Sequence, residues 1–450
     1  MRVHRLLVAN RGEIAARLIR TCRRLGIEAV LAASEPDLDS VPARLADEVV
    51  RLGPAAPEQS YLSVEAVVSA ALACGADAVH PGYGFLSENP ALSEACAERG
   101  ICFVGPPAPQ LSVLGDKLRA RAEAEAAGIG LLPGGEARTL AEAERLCEQI
   151  GLPVLVKAVA GGGGRGMRLV RHKGALGASL ETAMAEAAGA FGDPRVYLEA
   201  YLEHARHVEV QVLGDGRVAV HLGDRDCSVQ RRHQKLVEEA PAPLVEGALR
   251  SEMRGAAVRL ARRLGYRSLG TVELLLDSSA GRFFFLEVNA RIQVEHPVTE
   301  EVTGLDLVAE QIAVAEGVPL RLRQEEIELT GHAVEARINA EDPSKGFRPS
   351  PGRVRSATFP AGPGIRVDSA LQAGTVVPAW YDSLVAKVIA SGPNRPAALG
   401  RLASALERCR IEGIHTTTSL QHGVITTEDF RTGGVDTQWL ERFLARDQSS

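Results

Sequence analysis

Short apolar strands alternate with amphipathic helices over the first hundred residues, and this alternation limits the fold more than any other feature of the sequence. A strand is predicted at residues 6–9, a helix at residues 14–25 that stops before Gly26, and a second strand at residues 28–33. The same rhythm continues to Val104. Strands that alternate with helices pair in parallel, with the helices packed on both faces. We therefore predict an open parallel α/β sheet for the N-terminal region.

The rest of the chain follows a different pattern. A proline cluster at residues 106–109 marks a boundary, and one long helix is predicted over residues 111–127. Residues 208–213 and 217–222 alternate apolar and polar positions around a Gly-Asp-Gly turn, which indicates a β-hairpin. A chain of 450 residues is too long for one compact core. We predict three parts, at residues 1–110, 111–330 and 331–450, with α/β architecture first and mixed α+β architecture after it.

The bulk composition excludes several classes of protein. A net charge of -6 and a pI near 6.1 argue against a nucleic-acid partner. The longest apolar runs are far shorter than a membrane span, and the first residues lack a secretory leader. The seven cysteines form no CxxC pair and no metal-binding spacing, so we expect reduced thiols, with Cys227 buried and structural. These features predict a cytoplasmic enzyme without a membrane partner.

Lysine is scarce in this sequence. Only six of the 51 basic residues are lysine, and the others are arginine. A lysine that remains against such a bias is expected where a compact, reorientable ammonium group is needed. Three of the six lie in the motifs described next, at Lys117, Lys157 and Lys235.

A glycine-rich loop at residues 161–166 matches the pattern GxGxxG, but its surroundings differ from those of a dinucleotide site. An apolar strand is predicted directly after it, at residues 167–171, whereas a dinucleotide fingerprint needs a helix there. No Lys-Ser or Lys-Thr follows the loop, which excludes a P-loop. A glycine loop between two strands can close over a triphosphate as a flap, with Lys157 and Lys117 reaching the phosphates. The alternatives are a flexible surface loop and, for Lys117, a solvated lysine at the start of a helix.

Two glutamates are predicted to face each other across a hairpin. Residues 271–276 and 283–288 are strongly apolar strands, and closing the turn about Ala280 places Glu273 opposite Glu287. Opposed carboxylates repel by up to about 1 kcal/mol when exposed and by more when desolvated, so a cation is expected beside them. Asn289 lies on the same face and adds a third oxygen, a set that suits Mg²⁺ or Mn²⁺ beside a triphosphate. The alternative is a protonated or solvent-facing pair.

Together with these features, five sequence motifs resemble the biotin carboxylase family of the ATP-grasp superfamily, nearly from end to end. They are residues 9–15 (ANRGEIA), 80–89 (HPGYGFLSEN), 226–235 (DCSVQRRHQK), 291–297 (RIQVEHP) and 335–343 (EARINAEDP). The resemblance implies a Rossmann-like pre-ATP-grasp domain, a central ATP-grasp domain with a glycine-rich lid at about residues 130–205, and a C-terminal mixed α/β domain. It also implies an ATP-grasp ligase that uses ATP, Mg²⁺ (or Mn²⁺) and bicarbonate to carboxylate biotin, by way of carboxyphosphate.

The resemblance assigns a role to each matching residue. The residues implied at the nucleotide are Lys117, Lys157, Gly162, Gly163, Gly164, Glu199, Leu202, His207, Gln230 and His233, and those implied at the metal are Glu273, Glu287 and Asn289. The residues implied around bicarbonate are Lys235, Arg291, Gln293 and Val294, with Glu295 as the base and Arg337 facing biotin. Two plainer alternatives stay open: Glu295 and Arg291 could form a surface ion pair, and His233 could be a core histidine.

The chain departs from the family's usual pattern at four places. Ala200 and Val159 stand where lysine and serine are frequent, and Ala290 stands where threonine or proline is common. Residues 415–417 read His-Thr-Thr in place of Lys-Thr-Asn, beginning at His415. The contact at Ala200 resembles one made by the backbone, so nucleotide binding should survive that change. Val159 and Ala290 are expected to tune flap motion or affinity.

Biotin is expected to be carried on another chain. Biotin attachment in this family uses a lysine flanked by methionine, and none of the four methionines adjoins a lysine. The sequence also stops shortly after the implied C-terminal domain, without space for a carboxyltransferase. We expect a free-standing homodimeric subunit that serves a separate biotin carboxyl carrier protein and carboxyltransferase subunits. Acetyl-CoA, and with it fatty acid biosynthesis, is the expected default, although propionyl-CoA, methylcrotonyl-CoA and pyruvate systems share the same first half-reaction.

Two other functions stay open at this point. Another ATP-grasp ligase, of the carbamoyl-phosphate or carboxylate-amine type, would share the flap and the metal hairpin, but it would not explain residues 233–235, residues 291–295 and Arg337 together. A nucleotide-binding regulatory subunit without turnover would not need every implied catalytic residue.

Overall fold

A computed structural model of the chain describes residues 2–159 and 167–447, and its N-terminal region contains the predicted parallel sheet. The strands are β1 (Arg5–Val8), β2 (Glu28–Ser34), β3 (Glu48–Gly53), β4 (Ala78–His80) and β5 (Cys102–Phe103), and the helices are α1 (Gly12–Leu25), α2 (Val41–Leu45), α3 (Val64–Ala73) and α4 (Pro90–Glu98). The strands pair in parallel in the order β3-β2-β1-β4-β5. Helix α1 ends as predicted before Gly26, which adopts the left-handed conformation that glycine favours.

Two motifs of this region meet at the carboxyl ends of β1 and β4. Asn10 follows β1, and its Nδ2 donates to the carbonyls of Pro81 and Tyr83, both at 2.7 Å. Gly82 has a φ of +64°, and a Cβ there would lie 2.9 Å from Asn10 Nδ2, so this turn requires glycine. Further along the same motif, Glu88 Oε1 accepts from the backbone N–H of Ala290 at 2.9 Å.

The long helix predicted over residues 111–127 is wrong. Two helices occupy this stretch, α5 (Ala108–Gly115) and α6 (Lys117–Ala126). Asp116 between them is extended, with φ -92° and ψ 109°, and its Oδ1 accepts from the backbone N–H groups of Leu118 and Arg119. Asp116 is therefore an N-cap that starts a new helix, and Lys117 occupies its first turn.

A separate four-stranded antiparallel sheet follows. Its elements are β6 (Gly134–Ala137), α7 (Leu140–Ile150), β7 (Val154–Ala158), β8 (Arg168–Val170), α8 (Leu176–Phe191) and β9 (Val196–Ala200), and the strand order is β6-β9-β7-β8. Strands β7 and β8 pair antiparallel, with Val154 opposite Val170. The glycine loop at residues 161–166 thus joins two strands, as predicted, although the loop itself lies outside the described residues.

The central region and the C-terminal region share one eight-stranded sheet. The central elements are β10 (Arg206–Asp215), β11 (Ala219–Arg231), β12 (Gln234–Ala240), α9 (Gly247–Arg263), β13 (Arg267–Asp277), β14 (Arg282–Asn289), α10 (His296–Thr303) and α11 (Leu307–Ala315). Strands β10 and β11 form the predicted hairpin. Three later strands, β15 (His332–Asn339), β20 (Ile365–Ser369) and β22 (Leu384–Gly392), extend the sheet to the order β14-β13-β10-β11-β12-β15-β22-β20. Sequence analysis did not predict this continuity.

Smaller elements complete the C-terminal region. They are the short strands β16 (Glu341–Asp342), β17 (Arg348–Pro349), β18 (Gly352–Arg353), β19 (Ser356–Thr358), β21 (Val376–Val377) and β23 (Arg410–Glu412), and the helices α12 (Arg395–Arg408), α13 (Thr418–Thr426), α14 (Glu428–Thr432) and α15 (Trp439–Asp447). Helix α12 is the longest of these four helices, with 14 residues. Its apolar face packs on the large sheet through Leu402 and Leu406.

The strand pairing of the large sheet indicates that the sheet curves. Strand pairing is interrupted by β-bulges or irregularities between β10 and β11, β11 and β12, β13 and β14, and β15 and β22. Lys235 on β12 and Glu273 on β13 are three strand spacings apart in the sheet order, about 14 Å on a flat sheet. Their side-chain atoms Nζ and Oε1 nevertheless lie 2.8 Å apart. Bulges bend strands and increase twist, so these side chains converge on the concave face.

Two predictions from composition concern membranes and thiols. Within residues 2–159 and 167–447, no helix is long and apolar enough to cross a membrane. The seven cysteines are all unpaired, and Cys227 is buried as predicted.

Candidate active site

Three glutamates stand side by side on neighbouring strands of the large sheet. Glu209 on β10 pairs with Glu273 on β13, and Glu273 pairs with Glu287 on β14. The predicted opposition of Glu273 and Glu287 is therefore confirmed. Glu209 and Glu273 are buried and Glu287 is half-buried. Neighbouring carboxylates repel, so this carboxylate row (Glu209, Glu273 and Glu287) needs compensating cations.

The register of this hairpin near its turn differs from the prediction. Near the turn, Asp277 pairs with Arg282 and Leu274 pairs with Phe285. Continued unchanged, that register would place Glu273 opposite Leu286. A bulge between Glu273 and Leu274 takes up one extra residue of β14 and restores the pairing with Glu287. The expected pair is correct because an error in the turn and an unpredicted bulge cancel.

One ammonium group binds three carboxylates. Lys235 Nζ donates to Glu209 Oε2 at 2.6 Å, to Glu273 Oε1 at 2.8 Å and to Glu295 Oε1 at 2.7 Å. These contacts use all three of its protons. Burial lowers the pKa of Lys235, but the three carboxylates outweigh burial and hold the pKa well above its usual value. Lys235 is therefore a charged group at the centre of the site.

Glu287 is the member of the carboxylate row that lacks a basic partner. Its Oε1 accepts from Asn289 Nδ2 at 3.5 Å, and no lysine, arginine or histidine of the described residues forms an ion pair with it. Burial, then the charges of Glu273 and Glu88, raise the pKa of Glu287. A carboxylate short of a cation, beside a second carboxylate and an amide, is a donor set that fits a hard divalent cation. The residues present therefore fit the predicted Mg²⁺ or Mn²⁺.

Glu295 lies between a lysine and an arginine. Its Oε1 accepts from Lys235 Nζ at 2.7 Å, and its Oε2 accepts from Arg337 Nη2 at 2.8 Å. Burial would raise the pKa of Glu295, but Lys235 and Arg337 outweigh burial and hold the pKa below its usual value. Glu295 is therefore ionised, as a proton acceptor must be.

Arg291 turns away from Glu295. Its Nε donates to Glu88 Oε2 at 2.9 Å, and its Nη2 donates to Asn289 Oδ1 at 2.6 Å. The alternative of an ion pair between Arg291 and Glu295 is therefore wrong. The contact with Glu88 instead ties the motif at residues 80–89 to the motif at residues 291–297.

Arg337 on β15 connects Glu295 to a second pair of glutamates. Its Nε donates to Glu238 Oε1 at 2.5 Å. Glu238 and Glu335 occupy opposite positions of β12 and β15, and both are fully buried. Three of their four carboxylate oxygens accept no hydrogen bond from the described residues. Burial raises the pKa of Glu238 to about 7 and that of Glu335 well above its usual value. On this side of the site, protons compensate part of the negative charge.

The two lysines predicted for the phosphates lie near the four-stranded sheet. Lys157 Nζ donates to Glu199 Oε2 at 2.5 Å, and Glu199 also binds Arg121. Lys117 Nζ donates to the Ala158 carbonyl at 3.0 Å. Burial and the neighbouring Lys157 lower the pKa of Lys117. Lys117 does begin a helix, but it is half-buried and hydrogen-bonded rather than solvated, and two adjacent ammonium groups favour an anion nearby.

Other residues predicted at the nucleotide occupy two different environments. His207 is buried, its Nε2 lies 2.9 Å from Glu273 Oε2, and Gln230 Nε2 lies 3.4 Å from its Nδ1. Burial lowers the pKa of His207, but Glu273 outweighs burial and the net shift is upward. His233 is exposed in the turn between β11 and β12, so the alternative of a core histidine is wrong. Leu202 is half-buried after β9, and residues 162–164 lie outside the described residues.

Several groups that contact the site were not predicted from the sequence. Arg225 is fully buried, and it donates through Nε to Glu209 Oε1 and through Nη2 to Gln293 Oε1, the latter at 3.1 Å. Glu209 follows His207 by two residues, and the two-residue period of a strand places both on one face. That signal was present in the sequence. The pairing of β10 with β13 had no local signal, because the two strands are far apart along the chain.

Three family models cover most of the chain. A biotin carboxylase N-terminal domain matches residues 2–111, a carbamoyl-phosphate synthase L chain ATP-binding domain matches residues 116–323, and a biotin carboxylase C-terminal domain matches residues 335–442. Biotin carboxylase 1 of Bacillus subtilis is 48% identical over 444 residues, which span 98% of this chain and 99% of that protein. The chain belongs to the biotin carboxylase family. The family and the fold that the resemblance implied are thereby confirmed.

Other members of the biotin carboxylase family show how widely this likeness extends. The biotin carboxylase of Pseudomonas aeruginosa is 47% identical over 450 residues, covering 99% of this chain and 100% of that one. The structure of a nucleotide complex of Campylobacter jejuni biotin carboxylase matches with a TM-score of 0.95 at 42% identity, covering 98% and 99% of the two chains. The biotin carboxylase domain dimer of Hydrogenobacter thermophilus 2-oxoglutarate carboxylase, with MgADP and bicarbonate, matches with a TM-score of 0.94 at 44% identity and 98% coverage of both.

Proposed function

We propose that this member of the biotin carboxylase family uses ATP and bicarbonate to carboxylate biotin held on a separate carrier protein, with ADP and phosphate as the other products. One observation carries the proposal. Glu295 is held between Lys235 at 2.7 Å and Arg337 at 2.8 Å. Lys235 also binds Glu273, one of the residues predicted to hold the metal, whereas Arg337 belongs to strand β15 of the C-terminal region. A base between these two cations suits a reaction in which bicarbonate is activated and biotin is carboxylated at one site.

The nucleotide is proposed to lie between the four-stranded sheet and the large sheet. Lys117 and Lys157 would bind phosphate oxygens, and Glu273, Glu287 and Asn289 would hold Mg²⁺ or Mn²⁺. The bound metal would neutralise charge on the transferred phosphoryl group. The other proposed nucleotide contacts are Gly162, Gly163, Gly164, Glu199, Leu202, His207, Gln230 and His233.

Glu295 is proposed to take the proton of bicarbonate, while Lys235, Arg291, Gln293 and Val294 hold the anion. The bicarbonate oxygen attacks the γ-phosphorus and the bond to the β-phosphate oxygen breaks, which yields carboxyphosphate and ADP. Before substrate binds, the neighbouring cations depress the pKa of Glu295 and make it a weak base. A bound anion that attracts those cations would raise the proton affinity of Glu295 when the reaction needs it.

Arg337 is proposed to act in the second half of the reaction. Carboxyphosphate breaks into CO₂ and phosphate, the phosphate takes the ureido proton of biotin, and the freed nitrogen attacks CO₂. Negative charge develops on the ureido oxygen when the ureido proton leaves, before the nitrogen attacks CO₂. The Arg337 guanidinium is a permanent cation, because Glu238 and Glu295 raise its pKa despite burial, which lowers it. It would stabilise that oxygen.

Two alternative functions are less well supported. The central family match, to a carbamoyl-phosphate synthase ATP-binding domain, is compatible with another ATP-grasp ligase. The flanking matches to biotin carboxylase domains and the contact of Arg337 with Glu295 favour biotin. A silent regulatory subunit would not need an ionised Glu295 between two cations.

One assay separates the three functions. ATP cleavage by the purified chain is measured with bicarbonate and Mg²⁺, with and without free biotin. We expect biotin to stimulate ATP cleavage and to become carboxylated. Stimulation by an amine in place of biotin would favour the ligase, and absence of turnover would favour the regulatory subunit.

The partners follow from the proposed reaction. A biotin carboxyl carrier protein would present biotin, carboxyltransferase subunits would use the product, and two copies of this chain would form a homodimer in the cytoplasm. Acetyl-CoA is the proposed final acceptor. We also propose the domain division at residues 1–110, 111–330 and 331–450.

A further inference from the structure

Lys387 is a fully buried lysine to which the proposed reaction gives no role. It lies on β22, where it pairs with Arg337 on β15 and with Asp368 on β20, and its side chain is 0% exposed. Lysine is scarce in this chain, with six among 51 basic residues. An isolated buried ammonium group is costly, so a lysine in this position needs specific partners.

Three groups surround the Lys387 ammonium. Its Nζ donates to the Val294 carbonyl at 2.9 Å, and it lies 3.1 Å from Glu13 Oε2 on α1 and 3.9 Å from Asp368 Oδ2 on β20. Burial lowers the pKa of Lys387, but Glu13, Glu335 and Asp368 outweigh burial and the net shift is upward. The side chain is therefore a charged donor that joins the N-terminal helix, the C-terminal strands and the segment that precedes Glu295.

The segment that receives this hydrogen bond is a tight turn at residues 293–296. The carbonyl of Gln293 accepts from the backbone N–H of His296 at 3.3 Å and lies 2.7 Å from His296 Nδ1. The next carbonyl, of Val294, accepts from Lys387. That carbonyl and the N–H of Glu295 belong to one planar peptide unit. Holding the carbonyl therefore holds the backbone from which the Glu295 side chain extends.

We propose that Lys387 is a positioning residue for bicarbonate activation: it fixes the Val294–Glu295 peptide and thereby aims the Glu295 carboxylate at the bound anion. The inference rests on the proposed function, because it gives Glu295 the role of base. The competing explanation is that Lys387 only balances the charge of Glu13 and Asp368. The two explanations differ in what removal of the ammonium does to bicarbonate.

The decisive variant is Lys387→Met, which keeps the length of the side chain and removes its donors. We expect the kcat of biotin carboxylation to fall about 10–100-fold and the KM for bicarbonate to rise roughly tenfold, as for loss of a group that orients a reacting residue. The KM for ATP should stay within about twofold, since Lys387 contacts none of the proposed nucleotide residues that the structure describes. Lys345→Met, which alters a lysine whose side chain is 65% exposed, is the matched control and should change neither constant.

A second variant separates positioning from charge balance. The double variant Glu13→Gln with Lys387→Met removes the ammonium together with the carboxylate nearest to it. We expect it to recover the thermal stability lost in Lys387→Met, while the KM for bicarbonate stays raised. Recovery of both the thermal stability and the wild-type KM for bicarbonate would show that Lys387 balances charge only and would overturn the inference. Failure of both variants to fold would assign Lys387 to stability and would also overturn it.

The wild-type chain is assayed first, so that the two levels of inference fail separately. Absence of biotin-stimulated ATP cleavage in the wild type would reject the proposed function itself. An active wild type with an unchanged bicarbonate KM in Lys387→Met would reject only the role of Lys387.

Discussion

The two sides of the candidate site compensate negative charge in different ways. On β10, β13 and β14, Glu273 is ionised: burial would raise its pKa, but Lys235 and His207 hold it well below the usual value. On β12 and β15, burial raises the pKa of Glu238 to about 7 and that of Glu335 further above the usual value. The first side, which we call the metal side, uses cations at Glu209 and Glu273 and leaves Glu287 without a basic partner among the described residues. The second, which we call the biotin side, uses protons as well as Arg337.

This difference predicts which conditions should affect the metal side and which should affect the biotin side. Carboxylates that depend on cations should respond to removal of a divalent ion. Carboxylates that depend on protons should respond to pH between their ordinary pKa and the raised one. Substitutions on the metal side should therefore change how activity depends on the divalent ion, whereas substitutions on the biotin side should change how activity depends on pH.

The largest effect is expected from Arg337→Ala on the biotin side. Loss of a group that stabilises developing charge typically costs about 100–1,000-fold, and we expect this loss in biotin carboxylation. Bicarbonate-dependent ATP cleavage should be spared more. The pKa of Glu295 should rise, which would move the acid limb of the pH profile to higher pH. Parallel assays of ATP cleavage and carboxybiotin formation check this, and equal losses in both would contradict the role of Arg337.

A large effect of another kind is expected from Glu287→Gln on the metal side. The substitution removes the carboxylate charge that lacks a basic partner, so the Mg²⁺ concentration for half-maximal activity should rise by roughly 100-fold, the upper end for groups that support a metal. Titration of ATP cleavage with Mg²⁺ measures the shift. Glu252→Gln changes an exposed glutamate of α9 and is the control. An unchanged Mg²⁺ requirement in Glu287→Gln would mean that the hairpin does not hold the metal.

A smaller effect is expected on the pH dependence of stability. Glu238 has a pKa raised to about 7, so the folded chain binds more protons there than the unfolded chain. The free energy of unfolding therefore falls as pH rises from the usual carboxyl pKa to about 7. Glu238→Gln keeps an oxygen for Arg337 and should flatten this fall. Urea unfolding midpoints between pH 5 and pH 8 test it.

The metal side should show the opposite sign. The pKa of Glu273 is lowered, so its contribution to stability is present above the usual carboxyl pKa and is lost as pH falls through the lowered value. Glu273→Gln should therefore change the acid limb of the stability profile rather than the range between pH 5 and pH 8. The same pH response in both variants would remove the contrast between the two sides.

The smallest effect is expected at Ala200, which lies on neither side. Its backbone N–H donates to the Pro133 carbonyl at 2.8 Å, so the backbone of β9 is held whatever the side chain is. Ala200→Lys restores the residue frequent in the family and should change the KM for ATP by less than about threefold, in the range of a partly exposed charge. Steady-state kinetics at saturating bicarbonate measure this, and a tenfold change would show that the side chain contacts the nucleotide.

Local patterns in the sequence predicted much of the fold and part of the site. The parallel N-terminal sheet followed from alternating periodicity, and the pair of Glu273 and Glu287 followed from the arithmetic of one hairpin. The break at Asp116 was missed because apolar periodicity continues across it, although aspartate is a favoured N-cap.

Contacts between distant strands could not be predicted from the residues alone. Lys235 contacts Glu273 across three strand spacings, and no local pattern in the sequence encodes the strand order or the bulges between them. The buried Glu238 and Glu335 were also missed, because glutamate is rarely buried without a partner and alternation predicts an exposed position for it. Recognition of the family motifs supplied Arg337 and Glu295, but not Glu238, which Arg337 also binds.

The bulges of the large sheet have a consequence for judging related sequences. The strand pairings between Lys235 on β12 and Glu273 on β13, and the pairing of β13 with β14, contain irregular residues that set which side chains face each other. A related chain that lost Leu274 and kept the bulge would keep every motif intact, yet Glu273 would then pair with Leu286 in place of Glu287. A comparison of its motifs would show every expected residue, yet we expect the chain to be inactive. For this architecture, the count of residues between motifs is as diagnostic as the motifs.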